Sequence, residues 1–237
     1  MDYRIGTAGW TIPAAVRDRF AAAGTSLERY ATRLACAEIN SSFHRPHRPT
    51  TYERWAASVP AAFRFAIKMP KSITHERRLL DCEGALRGFA EQCAPLREKL
   101  GVVLVQLPPS LGFDAAFAAF FSAVHECLGG EIACEPRHAS WFEPAVDRWL
   151  ATRRIARVAA DPARHPLADR PGGWSGLRYF RLHGSPVMYR SAYSRDALEP
   201  IADALRADPD HSWCIFDNTA SSAATGDALM LREMLAP

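Results

Sequence analysis

The residues able to do chemistry in this 237-residue chain gather at the carboxyl ends of short apolar runs. Lys68 closes FRFAIKMP, Gln106 falls within VVLVQLPPS, and Glu135 stands two residues before Arg137 in IACEPRH. Arg181 and His183 alternate in LRYFRLHG, and Asp217 and Asn218 end WCIFDN. A carboxylate beside an imidazole that titrates near neutrality is the equipment of general acid–base catalysis, so Glu135 and His183, with Lys68, are the candidate proton-transfer residues. The competing role for Glu135 is a salt bridge to Arg137 or Lys68. Asn40, Gln106, Arg137, Arg181, Asp217 and Asn218 are candidate substrate contacts. Trp10, Trp141 and Tyr189 offer aromatic faces for a sugar or base, as do Phe43 and Tyr193. Tyr189 and Tyr193 fall in one loop with the character of a lid.

Side chains alternate along a strand, so parity divides each run into two rows. Phe65, Ile67 and Met69 form one apolar row and leave Lys68 opposite; Val103, Val105 and Leu107 likewise leave Gln106. Phe180 and Leu182 leave Arg181 and His183. The same rule pairs Glu38 with Asn40, Glu135 with Arg137, and Arg157 with Asp161, and leaves Asp217 and Asn218 open. Burying a charge without a partner costs several kcal/mol, so these polar rows must pair or meet a ligand. Glu38 and Arg157, set deeper, read as an internal ion-pair lattice. Asn40, Lys68, Gln106, Glu135, Arg137, His183 and Asp217 or Asn218 read as ligand-facing.

Eight runs position these residues: 4–10, 36–43, 63–70, 102–110, 132–138, 156–162, 177–184 and 213–218. Segments of helical period lie between most of them. Thr25 with Glu28 and Thr50 with Glu53 have the spacing of capping boxes. Asp114 and Ser194 or Asp196 precede further helices, and Pro144 suits a first helical turn. Strand and helix alternating eight times predicts an α/β fold, a single (β/α)8 TIM-type barrel domain over residues 1–237. Pro166, Pro171, Gly172, Gly173 and Gly176 predict an irregular or missing helix between strands six and seven. In such a barrel the strand carboxyl ends build the site.

Anion recognition is the chemistry best represented. KMPKSITHERR places Lys68, Lys71, Thr74, His75, Arg77 and Arg78 after the third run, and NTASSAATG could hold an anion at a helix start or supply ordinary caps. No HExxH or CxxC spacing signals a metal, and no GxSxG signals a serine nucleophile. No metal and no cofactor are expected. The formal net charge of +3 permits an anionic partner without the clustered basic face of a dedicated nucleic-acid binder. Six cysteines lack a disulfide framework, the amino terminus lacks a secretory pattern, and no apolar run reaches the roughly 18 residues of a membrane span. A cytoplasmic protein with no membrane partner is expected.

IGTAGW, EINSSFHRPHRPTTYERW, FRFAIKMPKSITH, GVVLVQLPPS, CEPRHASW, YFRLHGS and CIFDNTASSAATGDAL resemble, in order and over almost the whole chain, motifs of the YecE-like family, domain-of-unknown-function family 72. The resemblance implies a TIM-type barrel and no particular reaction. Likeness of that family's barrel to the endonuclease IV and xylose isomerase group implies nucleic-acid or sugar chemistry at the level of fold. The His/Glu/Asp set of such a nuclease is missing here, and His44 stands where the family often has Tyr. The expectation is therefore an enzyme acting by acid–base chemistry on a small anionic or phosphorylated, nucleotide- or sugar-derived substrate. The alternatives are a non-catalytic nucleic-acid binder using Arg45, Arg48, Lys71, Arg77 and Arg78, an endonuclease IV-like nuclease, or a barrel without chemistry.

Overall fold

All eight runs carry strands in the computed structural model, which describes residues 3–236. They are β1 (Arg4–Thr7), β2 (Cys36–Ile39), β3 (Arg64–Lys68), β4 (Leu100–Gln106) and β5 (Glu131–Glu135). The sixth run holds β6 (Ile155–Arg157) and β7 (Ala159–Asp161). The two-residue β8 (Gly172–Gly173), β9 (Arg178–Leu182) and β10 (Ser212–Phe216) complete the set. The chain is thus an α/β protein with two sheets, ordered β1-β10-β9-β7 and β2-β3-β4-β5-β6-β8. Every pairing is parallel except β6 with β8.

The sheets touch at two places. A parallel bridge joins Ala8 to Glu38, and the Gly9 N–H donates to the Glu38 carbonyl at 2.8 Å. Backbones run close here: a Cβ on Gly6 would lie 2.1 Å from the Cys36 carbonyl oxygen. At the other place one continuous run changes partner, β6 pairing with β5 and β7 with β9.

Among the described residues seven α-helices cover the strands: α1 (Ser26–Tyr30), α2 (Pro49–Ala57), α3 (Glu83–Cys93), α4 (Ala118–Leu128), α5 (Pro144–Thr152), α6 (Arg195–Ala207) and α7 (Ala224–Met234). Thr25 and Glu28 form the expected capping box. Asp114 accepts from the Ala116 N–H, and Ser194 accepts from the Ala197 N–H. The box expected at Thr50 and Glu53 does not form. Pro49 already occupies the first turn of α2, where its missing N–H and fixed φ cost nothing, so Thr50 lies inside the helix.

The two rows predicted by parity form two apolar clusters. Phe65, Ile67, Val103, Val105, Phe180 and Leu182 belong to the cluster that includes the helices. Ala66, Val102, Leu104, Ala133, Tyr179 and Ile215 belong to a separate one, on the row that carries Lys68, Gln106, Glu135 and Arg181.

The sixth run corrects the sequence reading. Ala156 and Val158 face that second cluster, so Arg157 points the other way. Its Nε lies 3.2 Å from Asp147 on α5 and its Nη1 donates to the Leu167 carbonyl at 2.7 Å. The physical cause is the irregular connection itself. No helix spans Pro162–Leu177, and the guanidinium satisfies carbonyls that a helix would have satisfied internally. Asp161 is likewise absorbed, accepting from the Tyr193 hydroxyl at 2.6 Å.

Candidate functional site

β9 delivers the hub. Arg181 is fully buried, and its Nε and Nη2 grip Glu38 at 3.0 and 2.7 Å in a bidentate pair. Its Nη1 reaches Glu135 at 3.1 Å and its Nη2 lies 3.0 Å from Asp217. A planar fork of five donors is the side chain suited to three carboxylates converging from β2, β5 and the end of β10. Tyr179, on the same row, donates its hydroxyl to Glu38 at 3.1 Å. The sequence reading passed over Tyr179, although parity with residues 181 and 183 marks it.

His183, two residues beyond the hub, sits between two acids. Nδ1 is 3.0 Å from Asp217 and Nε2 is 3.2 Å from Glu135. Both ring nitrogens need a hydrogen to satisfy this arrangement, so the geometry is that of an imidazolium. Burial opposes the charge, but Glu135 and the Asp217 hydrogen bond overcome it and raise the His183 pKa.

Glu135 also accepts from Gln106 at 2.9 Å and from Arg137 at 3.2 Å. Burial alone would raise its carboxyl; Arg181, then His183 and Arg137, reverse this and hold it well below the usual carboxylate range. Asp217 is lowered against its burial by Arg181 and His183. Such a Glu135 stays ionised at neutral pH. Its oxygens hold Gln106, Arg137, Arg181 and His183 at once.

These shifts fix a pH dependence. The raised His183 contributes stability that is complete below its unfolded value near 6.5 and is lost as pH rises through its folded value. Glu135 and Asp217 contribute above their unfolded values and lose it in acid. Urea melts between pH 6.5 and about 8, below the interval in which Lys68 titrates, should show declining stability in the native chain. His183→Gln should be less stable at the low end of that window and flatter across it. Parallel profiles for the two proteins would contradict the imidazolium.

Lys68 closes β3 with 6% of its surface exposed. Its Nζ lies 4.2 Å from the centroid of the Phe43 ring and makes no hydrogen bond or salt bridge among the described residues. Burial and then Arg181 lower its pKa from 10.5 to about 8, outweighing Glu38, Glu135 and Asp217. The buried Ser42 hydroxyl lies 2.7 Å from the Lys68 carbonyl oxygen and ties the ends of β2 and β3 together. After β3 the chain makes a π-helical turn, Ser72–Glu76, a local irregularity frequent at functional sites. It places His75 with its ring 5.1 Å from Phe43. Asn40, just past β2, buries its Oδ1 with no partner among the described residues.

The remaining candidates divide. Tyr189 is 39% exposed and its ring centroid lies 5.7 Å from that of His183 in a T-shaped pair, so it borders the site. Trp10, Glu38, Asn40 and Ser41 line a cleft of about 370 Å³. Only about 20 Å³ is open beside Glu135, Arg137 and His183. Trp141 is not a contact: it is fully buried, donates to the Leu111 carbonyl at 2.9 Å and lies parallel to Phe117. Asn218 is not one either. Alternation turns Asp217 inward, and Asn218 donates outward to Asp227 on α7 and to the Ser191 carbonyl. Tyr193 is no part of a lid, being buried and bonded to Asp161.

The basic residues of the alternative nucleic-acid reading are largely spoken for. Arg78 bonds Ser110, Arg77 bonds the Asp81 carbonyl, and Lys71 pairs with Glu76. After β10, Ser221 bonds the Arg190 carbonyl and leaves the start of α7 without a side-chain cap. Among the described residues no group of three or more His, Cys, Asp and Glu side chains has a metal-holding arrangement, and no helix is long and apolar enough to cross a membrane. A separate cleft of about 490 Å³ lies between Tyr3, Arg33, Phe63 and Arg232 and contains none of these residues. The ion-pair network locates the site better than cleft size does.

Fold and site together define an α/β protein with a buried ionic network built from strand-end side chains. The chain belongs to the family described as "Protein of unknown function DUF72", whose model matches residues 4–237. It is 31% identical over 174 residues to the UPF0759 protein YecE of Escherichia coli strain K12, covering 70% of this chain. It is 26% identical over 175 residues to the UPF0759 protein YunF of Bacillus subtilis, again over 70% of this chain. The matches span 61% and 60% of those relatives' lengths. DUF72 family proteins of solved structure share the fold. One from Thermotoga maritima has a TM-score of 0.78 at 22% identity, covering 98% of each chain. One from Enterococcus faecalis has 0.78 at 21%, covering 98% of this chain and 94% of its own.

Proposed function

We propose that the two sheets are the halves of one closed (β/α)8 barrel, a single domain, and that its strand-end site is enzymatic. The Ala8–Glu38 bridge and the partner exchange between β6 and β7 support closure, because they link the sheets on both edges. The substrate is small and anionic, nucleotide- or sugar-derived, and the protein's own side chains supply the proton transfers. His183 is the acid and Lys68 the base; Glu135 holds both His183 and Arg181 in place. Arg137 and Lys68 attract the anion, while Asn40 and Gln106 orient it. Free cysteines, five of the six buried, fit a reducing compartment, and we place the protein in the cytoplasm.

One observation carries this reading: the Lys68 amine, set against Phe43, and the buried Asn40 oxygen have no hydrogen-bond partner among the described residues, beside a network in which every other charge is matched. Polar groups left so are costly in a structure that only needs filling. Thermal-shift measurements with inorganic phosphate, sugar phosphates and nucleotides test it. A ligand at about 100 times its dissociation constant adds about 2.7 kcal/mol of stability. The shift should appear with at least one of these anions and disappear in Lys68→Met and Arg137→Ala. Equal shifts in all three proteins would overturn the assignment.

A further inference from the structure

Of the 29 basic side chains in the chain, only Lys68, Lys71 and Lys99 are lysines; the rest are arginines. Arginine therefore does nearly all the cationic work, including the most buried pairing, at Arg181. Lys71 lies on the surface against Glu76, and Lys99 donates to the Val59 and Pro60 carbonyls. Lys68 alone among the three points its amine into the network without a hydrogen bond or an acid. A guanidinium would have supplied charge and more hydrogen bonds at that position, but it stays protonated and is not a nucleophile. An amine differs in one chemical capacity, which is to lose its proton and bond to carbon.

The surroundings suit that capacity. Phe43 packs against the amine, so bulk water is displaced from one side. His75 packs on the same ring, and burial, then Lys68 and Arg137, lower its pKa, so it is neutral at working pH. One of its nitrogens is 2.9 Å from the Thr74 hydroxyl; the other has no partner among the described residues. Asn40 directly follows Ile39, the partner of Ile67, which directly precedes Lys68, and its unpartnered Oδ1 can only accept a hydrogen bond. A hydroxyl forming next to the amine would supply one.

We propose that Lys68 is the nucleophile of an imine-forming step on a small aldehyde or ketone that carries a carboxylate or phosphate. The inference rests on the functional reading above and names its substrate class. The Nζ lone pair bonds to the carbonyl carbon as the C=O π pair moves to oxygen. The nitrogen gives up a proton and the oxygen gains one, leaving a carbinolamine. His75 carries the proton between them, and Asn40 accepts from the new hydroxyl. That hydroxyl takes a proton from solvent through His75 and departs as water while the nitrogen pair closes the C=N bond, and the iminium N–H then returns its proton to solvent by the same route. Amine and carbonyl thus become imine and water, with no oxidation or reduction.

The full-length protein, incubated separately with pyruvate, glyoxylate and dihydroxyacetone phosphate plus cyanoborohydride, tests this by intact mass and peptide mapping. A depressed amine pKa gives Lys68 far more free amine than Lys71 at mildly basic pH. Labelling of Lys68 should outrun that of Lys71 and Lys99 by roughly tenfold or more with at least one probe. Lys68→Arg should lose the label while Lys71→Arg keeps it. Circular dichroism of both variants confirms that they fold. Label on Lys71 or Lys99 only, or none, overturns the imine. If phosphate or pyruvate still shifts the melting of the unlabelled protein through Lys68, the anion site survives that failure; if no shift occurs either, both readings fall.

Discussion

Arg181→Met is expected to destabilise the chain by about 3–5 kcal/mol, the cost of removing one partner from a buried ionic cluster. The size follows from what is left behind. Glu38 and Arg181 are both fully buried, and without the guanidinium Glu38 retains only the Tyr179 hydroxyl. Glu135 and Asp217 keep His183 but lose the charge that most lowers them. Their folded pKa values should then move above the unfolded ones, so the variant binds more protons folded than unfolded and gains stability as pH falls. The deficit relative to the native chain should therefore shrink in acid, read from urea midpoints at neutral and acidic pH. Adding Glu38→Met to Arg181→Met should recover part of the loss, because it removes a stranded charge from the same place. A double variant weaker than the single one, or a deficit that grows in acid, would show that Arg181 acts through packing rather than charge.

This cluster was largely legible in the chain because alternation survives folding wherever a strand is straight. Phe65, Ile67, Phe180 and Leu182 are unmistakably one row, so Lys68, Arg181 and His183 could be placed on the other. Legibility ends where both rows are apolar or the backbone departs from regular pairing. In WCIFD the rows Trp213/Ile215 and Cys214/Phe216 are equally hydrophobic, so composition could not decide between Asp217 and Asn218. In the sixth run, polarity suggested that Arg157 belonged inside. The glycines and prolines predict the missing helix but do not show its consequence, a loop whose carbonyls need a donor. Gly172 closes that account: a Cβ there would lie 2.1 Å from the Arg157 guanidinium. Trp141 misleads for a different reason. It follows Glu135 and Arg137 closely, but in a 3-10 turn, where strand parity has no meaning.

Lys68→Met should move stability the other way, upward by up to about 3 kcal/mol at neutral pH. The lowering from 10.5 to about 8 measures how much the folded protein disfavours the charged amine, and 94% burial leaves little solvent to screen it. Attraction to the face of Phe43 offsets part of this, which makes the figure an upper bound. The sign with pH is fixed by linkage. Between about 8 and 10.5 the unfolded chain holds the proton that the folded chain has released, so native stability climbs across that interval. The advantage of methionine should be complete below 8 and vanish above 10.5. Methionine nearly matches lysine in length and brings no charge, so it needs no partner in the pocket. A substitution that strengthens the fold and abolishes anion-induced stabilisation is what a site held against its own stability produces. Loss of stability in Lys68→Met at neutral pH would mean that the ammonium is a structural member of the network, paired in effect with Glu38, Glu135 and Asp217, and would remove the reason to look for its chemistry.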